Sequence, residues 1–165
     1  MLKRTNLIYI IGLILIVSFL VSCENSEEVI KNNYYLSLSG ESKNWEVDSY
    51  EVVIKPDTFS AGNGKLTMKN DKEVTSHFFS IKVHAVINGR DEVVQGKSVT
   101  VTGGEENIAQ TSIGTIEGGT YFKENGDPIT LKDVSDIYMI IQWQDGNQDM
   151  EERVDLYNQK EKFSF

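Results

Sequence analysis

The sequence contains 165 residues, with 16 basic and 25 acidic side chains and a formal net charge of −9 at pH 7. Such an acidic chain repels the phosphates of DNA and RNA, so no nucleic-acid partner is expected. The single cysteine excludes an intrachain disulfide, and the fold must therefore be stabilised by packing alone. The length fits one domain with a sizeable hydrophobic core.

The N-terminal segment has the pattern of an export signal. Lys3 and Arg4 precede a mainly apolar run over residues 7–21. A basic start followed by an apolar segment of this length is typical of a segment that directs secretion. The run is shorter than the ~20 apolar residues that a bilayer-spanning helix needs. We therefore interpret it as a signal peptide.

The residues that close this run, Leu20, Val21, Ser22 and Cys23, resemble the lipobox of bacterial lipoproteins at all four positions. In that family the cysteine sulfur receives a diacylglyceryl group, and the signal is cut just before the cysteine. The resemblance implies that Cys23 is lipidated and that its partner is the cell membrane, reached through diacylglycerol. A plain secretory signal with an incidental cysteine and an uncleaved anchor are the alternatives.

Cleavage before Cys23 would divide the chain into three parts. Residues 1–22 are the signal peptide, residues 23–33 are the lipidated cysteine and a polar tether, and residues 34–165 are a single folded domain. Removal of 22 of the 165 residues leaves 143, and the loss of Lys3 and Arg4 makes the formal net charge −11. We expect a domain that is anchored by lipid on the extracytoplasmic face of the cell membrane.

In the domain, hydrophobic residues recur mainly at every second position, which predicts β-strands. Apolar and polar side chains alternate over residues 34–38, and the parity of the apolar positions changes between Val47 and Tyr50. The change predicts either a bulge near Asp48 and Ser49 or two short strands.

Two hairpins and one helical turn are predicted further along the chain. Alternating apolar residues over 79–87 lead into Asn88-Gly89, the strongest short signal for a hairpin. The second hairpin places residues 137–144 and 151–157 on either side of the acidic turn DGNQD. Between the hairpins, residues 130–134 are predicted to form one helical turn that Thr130 caps.

The strand pattern predicts the fold class. About seven to nine short strands, separated by turn signals at intervals of roughly 8–12 residues, are typical of an all-β protein with an antiparallel β-sandwich. A small β-barrel is the alternative.

No motif identifies a catalytic residue or a cofactor. The glycines have neither dinucleotide-binding nor Walker spacing, and no G-x-S-x-G elbow is present. His77 and His84 are separated by an odd number of positions, so one continuous strand would place them on opposite faces. We interpret both as ordinary surface histidines and assign no metal.

The acidic turn is a weak candidate for calcium. Asp145, Asp149 and Glu151 provide carboxylates, but Met150 and Leu156 occupy the positions where an EF-hand needs glycine and glutamate. An irregular calcium site stays open as an alternative, and a solvated hairpin tip is the preferred interpretation.

Two groups of aromatic residues are candidates for ligand contacts. Trp45 and Trp143 lie on predicted strands, where tryptophans usually belong to the core. Residues 116–128 combine Tyr121 and Phe122 with glycines and a turn, and long loops of this kind often carry binding residues. We predict Tyr121 and Phe122 as the binding residues, with one ring packed inward and the other facing solvent because their parity is opposite.

A further resemblance extends over nearly all of the mature part. It is carried by GESKNWEV (40–47), AGNGKLTMK (61–69), FFSIKVHAVING (78–89), IAQTSIGTIEGGTY (108–121) and NGDPITLKDVSDIYMIIQW (125–143). In combination these segments resemble a group of small lipoproteins of Gram-positive bacilli. The resemblance implies an envelope location and an immunoglobulin-like sandwich, and it brings no activity, cofactor or catalytic residue.

The sequence therefore favours a membrane-anchored binding or interaction module at the cell envelope, with an envelope protein or peptide as partner. A protective lipoprotein that blocks a protease or a cationic antimicrobial peptide is the alternative within binding. An enzyme with an unrecognised carboxylate site is the competing class. An exposed aromatic patch would favour binding, whereas two close carboxyl groups with raised pKa in a concave pocket would favour the enzyme.

Replacement of the anchoring residue tests the lipoprotein assignment. Cys23→Ala should release the protein from the membrane or leave an uncleaved precursor, because no other thiol can accept the lipid. Metabolic labelling with a fatty-acid analogue, followed by membrane fractionation, measures the effect. A Ser26→Ala variant should keep its label. Absence of label on the wild-type protein would contradict the assignment.

Overall fold

The alternating hydrophobic pattern forms β-strands in the described chain, which comprises residues 33–56, 58–69 and 73–162 of a computed structural model. The strands are β1 (Tyr34–Glu41), β2 (Trp45–Lys55), β3 (Thr58–Gly62), β4 (Lys65–Met68), β5 (Thr75–Ser76), β6 (Phe78–Ile87), β7 (Arg90–Thr100), β8 (Glu106–Asn107), β9 (Gln110–Ser112), β10 (Ile116–Glu117), β11 (Val134–Asp145) and β12 (Gln148–Asn158). A 3-10 helix spans Leu131–Asp133, and a short helix α1 spans Gln159–Lys162. Lys31–Phe165 forms one compact unit.

Several of these strands are parts of longer, interrupted strands. β3 and β4 pair with β2 in one unbroken register, which runs from Lys55 opposite Thr58 to Trp45 opposite Met68. β9 and β10 likewise pair with β4 and β3 in one register. The first sheet therefore contains four long strands, in the order β1, β2, β3–β4 and β9–β10. The second sheet has the order β7, β6, β11 and β12.

The strand order is that of a Greek-key β-sandwich. The chain crosses from β3–β4 in the first sheet to β6 in the second, and later from β9–β10 in the first sheet to β11 in the second. Within the sheets, β3–β4 pairs with β9–β10 and β6 pairs with β11. Such interlocked antiparallel pairs define the Greek-key sandwiches of this class. The described strands do not close into a barrel, so the sandwich prediction is confirmed and the barrel alternative is wrong.

The inward-facing side chains of both sheets form one hydrophobic core. Trp45 and Trp143 are both in it, with their rings packed edge to face at 5.4 Å between centroids. Phe79 contacts Trp45 from the second sheet at 5.8 Å. The interpretation of the tryptophans as core residues is confirmed.

Local predictions from turn chemistry are also confirmed. The register of β1 against β2 shifts between Leu38 and Gly40, which leaves a bulge at Asp48 and Ser49 rather than two strands. Asn88 and Gly89 have positive φ values of 51° and 75°, as a two-residue hairpin turn requires.

A row of irregular positions crosses the first sheet. Ser49 in β2, Asn63 between β3 and β4, and Gly114 between β9 and β10 have positive φ values of 53°, 56° and 79°. Asn63 and Gly114 lie at the same level of the sheet, because Asn63 N donates a hydrogen bond to Gly114 O at 3.1 Å. Ser49 lies at this level too, because β2 keeps one register along β3 and β4. The strands are therefore interrupted at one common level.

The side chain of Gln95, on β7 of the second sheet, reaches the first sheet at this level. Its Nε2 donates to Ile113 O at 3.2 Å and to Gly114 O at 2.7 Å. Its Oε1 accepts from the Tyr50 hydroxyl at 2.7 Å. Burial raises the pKa of Tyr50, which keeps the hydroxyl protonated and able to donate. The buried amide therefore joins both sheets through three satisfied hydrogen bonds.

A second contact joins the two sheets on the side of the sandwich away from Gln95. The turn between β1 and β2 surrounds the Glu152 carboxylate of β12, which accepts hydrogen bonds from Ser42 Oγ at 2.5 Å and Asn44 N at 3.0 Å. At Gly40 the two edges approach so closely that a Cβ atom would lie 2.3 Å from the backbone oxygen of Asp155. The outer edges of β1 and β12 are thus packed against each other.

Truncation of the buried amide should destabilise the whole domain. Gln95→Ala removes the partner of the Tyr50 hydroxyl and of the Ile113 carbonyl and opens a cavity, which should lower the free energy of unfolding by about 2–4 kcal/mol. Chemical denaturation of the Lys31–Phe165 fragment measures this. Gln110→Ala, at an exposed position of β9, should change it by less than about 0.5 kcal/mol. Equal losses for both variants would contradict the assigned role.

Candidate functional site

A half-open cavity of about 570 Å³ lies at one end of the sandwich. One side, the hairpin wall, consists of Ile87, Asn88, Arg90 and Glu92 from the β6–β7 hairpin. The other side, the loop wall, consists of residues 121–125 from the segment between β10 and β11. The cavity is therefore built from two loops that the two-sheet framework brings together.

The two predicted binding residues point in different directions. Tyr121 packs edge to face on Phe59 of β3, at 5.6 Å between ring centroids. Burial, with a smaller contribution from Glu92, raises the pKa of Tyr121. Phe122 is 56% exposed. The opposite orientations predicted for this pair are confirmed, and Phe122 is the ring that faces solvent.

Hydrogen bonds within the loop wall hold Phe122 in place. A bridge pairs Phe122 with Pro128, and between them Lys123 N donates to Asp127 O at 2.8 Å. The tip is closed by Gly126 N, which donates to Lys123 O at 2.9 Å with a φ of 88° that favours glycine. The predicted loop at 116–128 begins in the structure only after β10, and its second half is a small hairpin.

Asp133 connects the two walls. Its carboxylate accepts hydrogen bonds from Thr130 N at 2.7 Å and Thr130 Oγ1 at 2.9 Å, and pairs with Lys123 Nζ at 3.2 Å. Its backbone oxygen accepts from Asn88 N, in the hairpin wall, at 2.8 Å. Partial burial works to raise the pKa of Asp133, but the Thr130 hydrogen bonds and Lys123 outweigh it, so the pKa is lowered. The Thr130 prediction is confirmed as a 3-10 turn.

The charges of the cavity wall balance. Arg90 and Lys123 contribute two positive charges, and Glu92 and Glu124 contribute two negative ones. Lys123 is held by Asp133, whereas Arg90 pairs loosely with Glu124 at 3.8 Å across the mouth. The site therefore has little preference for a ligand of either charge.

The described chain begins at the end of the sandwich that carries this cavity. Tyr34, at the start of β1, pairs with Ile54, and Ile54 pairs with Phe59 in the next strand. Phe59 in turn contacts Tyr121 of the loop wall. The entry of the chain and the cavity are thus close to each other.

The two histidines have different partners. His84 stacks on Tyr138 at 4.8 Å between ring centroids, and its Nδ1 lies 3.0 Å from Asp91 Oδ1. Nε2 of His77 lies 3.4 Å from Glu105 Oε1. In the part of the chain that the structure describes, no three histidine, cysteine, aspartate or glutamate side chains are grouped to hold a metal ion.

A polar cluster extends from His84 over the outer face of the second sheet. The Tyr138 hydroxyl donates to Asp91 Oδ2 at 2.6 Å, and the guanidinium carbon of Arg153 lies 3.6 Å from the Tyr138 ring centroid. The hydrogen bond from Tyr138 lowers the pKa of Asp91, and the same bond raises the pKa of Tyr138. These contacts fix Asp91 between the two cavity residues of β7.

The acidic turn forms the predicted hairpin tip. Asp145 pairs with Gln148, which leaves Gly146 and Asn147 as the two turn residues. Asp149 Oδ1 accepts a hydrogen bond from the Gln144 amide at 3.0 Å, on the neighbouring strand. Glu151 lines a small concavity of about 250 Å³ beside Trp143 and accepts from the Gln142 amide at 2.7 Å. The carboxylates therefore act in cross-strand hydrogen bonds.

Sequence reasoning identified the loop wall but not the hairpin wall. Asn88 was recognised only as a turn residue, and nothing in the spacing of Arg90 and Glu92 indicated that they would face Tyr121. The signal that was available is the Asn88-Gly89 turn itself, since hairpin tips gather at the ends of a sandwich.

The lipidation prediction falls outside the described residues. Leu20, Val21, Ser22 and Cys23 all precede residue 33, where the description begins. Within the described ranges, no helix has the length and apolar character needed to cross a membrane. Comparisons with protein-family models, with curated proteins and with solved structures find no match for this chain.

Neutralisation of Asp133 should weaken the link between the walls. Because the folded-state pKa is lowered, the carboxylate stabilises the fold fully above its unfolded pKa of ~3.9, and this contribution is lost as pH falls through the folded pKa. Asp133→Asn should therefore lower the free energy of unfolding at pH 7 by about 1–2 kcal/mol, and the difference from wild type should shrink below about pH 4.

Thermal melts of both proteins at pH 7 and at about pH 3 measure this difference. Asp145→Asn makes the same change of charge at the exposed hairpin tip of the opposite end and should have little effect at either pH. A difference for Asp133→Asn that is independent of pH would contradict the role of the carboxylate.

Proposed function

We propose that this protein is a lipid-anchored binding module of the cell envelope, and that it contacts its ligand with the cavity between the hairpin wall and the loop wall. Cys23 would carry the diacylglyceryl anchor on the extracytoplasmic face of the membrane. The observation that carries the proposal is the exposed Phe122 ring at the mouth of a cavity whose walls are fixed by hydrogen bonds.

The exposure of Phe122 supports binding because the ring presents apolar surface to solvent in the wall of the cavity. Large aromatic side chains usually bury most of their surface in a domain of this size. Here the neighbouring Tyr121 packs on the core while Phe122 is held outward by its bridge to Pro128. Aromatic rings held in this way often dominate the free energy of an interface.

The rigidity of the walls is a second argument. Asp133 links Asn88 of the hairpin wall to Lys123 of the loop wall, so little loop entropy remains to be lost when a ligand binds. Preorganisation of this kind favours a binding site over a surface loop.

The charges of the cavity and the pKa shifts of the carboxyl groups favour this binding module over a protective lipoprotein that captures cationic peptides and over an enzyme. A module that neutralises cationic peptides would present an excess of negative charge, but Arg90 and Lys123 balance the two glutamates of the cavity. An enzyme using paired carboxyl groups would need one with a raised pKa. Among the described carboxyl groups with a displaced pKa, namely Glu41, Glu51, Asp91 and Asp133, each is lowered.

Site-specific photo-crosslinking in living cells tests the proposal. A benzophenone amino acid in place of Phe122, in the full chain, should give discrete adducts with an envelope component. The same amino acid in place of Tyr35 is the matched control, because that ring is 61% exposed but does not line the cavity. Absence of adducts at position 122, or the same adducts at both positions, would contradict the assigned contact surface.

A further inference from the structure

We infer that the cavity binds a neutral saccharide. The inference rests on the proposed binding function and deepens it by naming the class of ligand. It follows from the combination of an exposed aromatic ring, side-chain amides on both walls and a balanced pair of charges across the mouth.

The aromatic component is Phe122. Pyranose rings have one face lined with C–H groups, and this face packs against an aromatic ring, which is an apolar surface with a negative quadrupole. Phe122 is exposed at the mouth and its backbone is fixed by the bridge to Pro128. The cavity is half-open and about 570 Å³ in volume, which is within the range of small-molecule sites.

The polar component suits hydroxyl and acetamido groups. Asn88 lies in the hairpin wall, and its amide offers both donors and an acceptor. Asn125 lies in the loop wall, where its amide donates to Asp127 Oδ2 at 2.7 Å and accepts from Asp127 N at 3.1 Å, so one of its two N–H donors is left for a ligand. Arg90 and Glu124 lie across the mouth with their charged groups 3.8 Å apart, and their side chains are 72% and 92% exposed. Such an exposed pair contributes little stability, so a ligand can separate it at small cost. Guanidinium and carboxylate then present donors and acceptors that match the vicinal hydroxyls of a sugar.

The balance of charge disfavours small ligands that carry a net charge. An anion would face Glu92 and Glu124, and a cation would face Arg90 and Lys123. Lys123 is in addition held by Asp133 at 3.2 Å, so it is not available as an unpaired phosphate or carboxylate ligand. A ligand without net charge meets none of these repulsions.

A peptide fits the site less well. Peptide anchors fill desolvated apolar pockets, but Ile87, the aliphatic residue of the wall, is itself only 3% exposed and offers little surface. The observations favour the saccharide over an envelope protein or peptide.

Titration of the Lys31–Phe165 fragment, which is a compact unit with its own core, tests the inference. The probes are the neutral tetrasaccharides of N-acetylglucosamine, glucose in β-1,4 linkage and glucose in α-1,4 linkage, followed by calorimetry and by amide chemical shifts. At least one should bind saturably, with shifts concentrated at residues 88–92 and 121–125. Because the ligand is neutral, raising NaCl from about 50 to 500 mM should change its Kd by less than about twofold.

Matched variants locate the contact. Phe122→Ala should weaken binding at least about tenfold, as loss of a central aromatic contact does, while Phe122→Trp, which keeps a ring at an exposed position, should retain it. Tyr35→Ala should bind as wild type does. Thermal melts of all three variants establish that they are folded.

The outcomes separate this inference from the proposed function. If no tetrasaccharide binds while position 122 forms crosslinks to a protein in cells, the saccharide inference is wrong and the binding function stands. Binding that weakens steeply with salt, or that survives Phe122→Ala, also overturns the inference. If neither saccharide binding nor crosslinking at position 122 occurs, both proposals fail.

Discussion

The fold depends on one buried amide. Gln95 reaches from the second sheet into the first, where it donates hydrogen bonds to the Ile113 and Gly114 carbonyls and accepts one from the Tyr50 hydroxyl. A buried amide without partners would cost several kcal/mol, and its removal would leave the buried Tyr50 hydroxyl without this acceptor. The interruption of β9–β10 at Gly114 is therefore coupled to the presence of glutamine, rather than an aliphatic residue, at position 95. Each feature would destabilise the domain without the other.

The strand that carries Gln95 also sets the geometry of the cavity. The register of β6 against β7 shifts between Val83 and His84, so that Val94 and Gln95 are both buried although they are consecutive. Beyond this bulge the parity of β7 is reversed, and Asp91 lies on the outer face, where it accepts from Tyr138 at 2.6 Å. Its neighbours Arg90 and Glu92 consequently face the cavity. The bulge at Val94, next to Gln95, thus determines which side chains of the hairpin wall meet the loop wall.

The parts of this structure that were predicted from sequence are those with local causes. The bulge at Ser49 follows from a change of parity within one strand, the turn at Asn88 from a dipeptide that tolerates positive φ, and the helical turn from Thr130, a residue type that caps helices. Gln95 and the hairpin wall were not predicted, because their partners are distant in the chain and lie in the other sheet or a separate loop. Glutamine in a strand carries no pattern that distinguishes a satisfied core position from an exposed one. The orientation of Tyr121 and Phe122 could be predicted only in part. Their opposite parity required that the two rings face different ways, but the contact with Phe59 decided which ring is buried.

The location of the cavity has a consequence for how an anchored domain would use it. The chain enters the sandwich beside the cavity. Under the proposed anchorage, residues 24–33 would span at most about 35 Å, and the site would act close to the membrane. A half-open site with one exposed ring would give modest affinity for a single saccharide unit, because much of the ligand would stay in water. The proposed anchorage would compensate for this, since many copies on one surface could engage successive units of the same polymer, and linked sites gain avidity through effective concentration. A shallow cavity would therefore be sufficient for a protein confined to the surface on which its ligand is displayed, whereas a freely diffusing protein would need a deeper one.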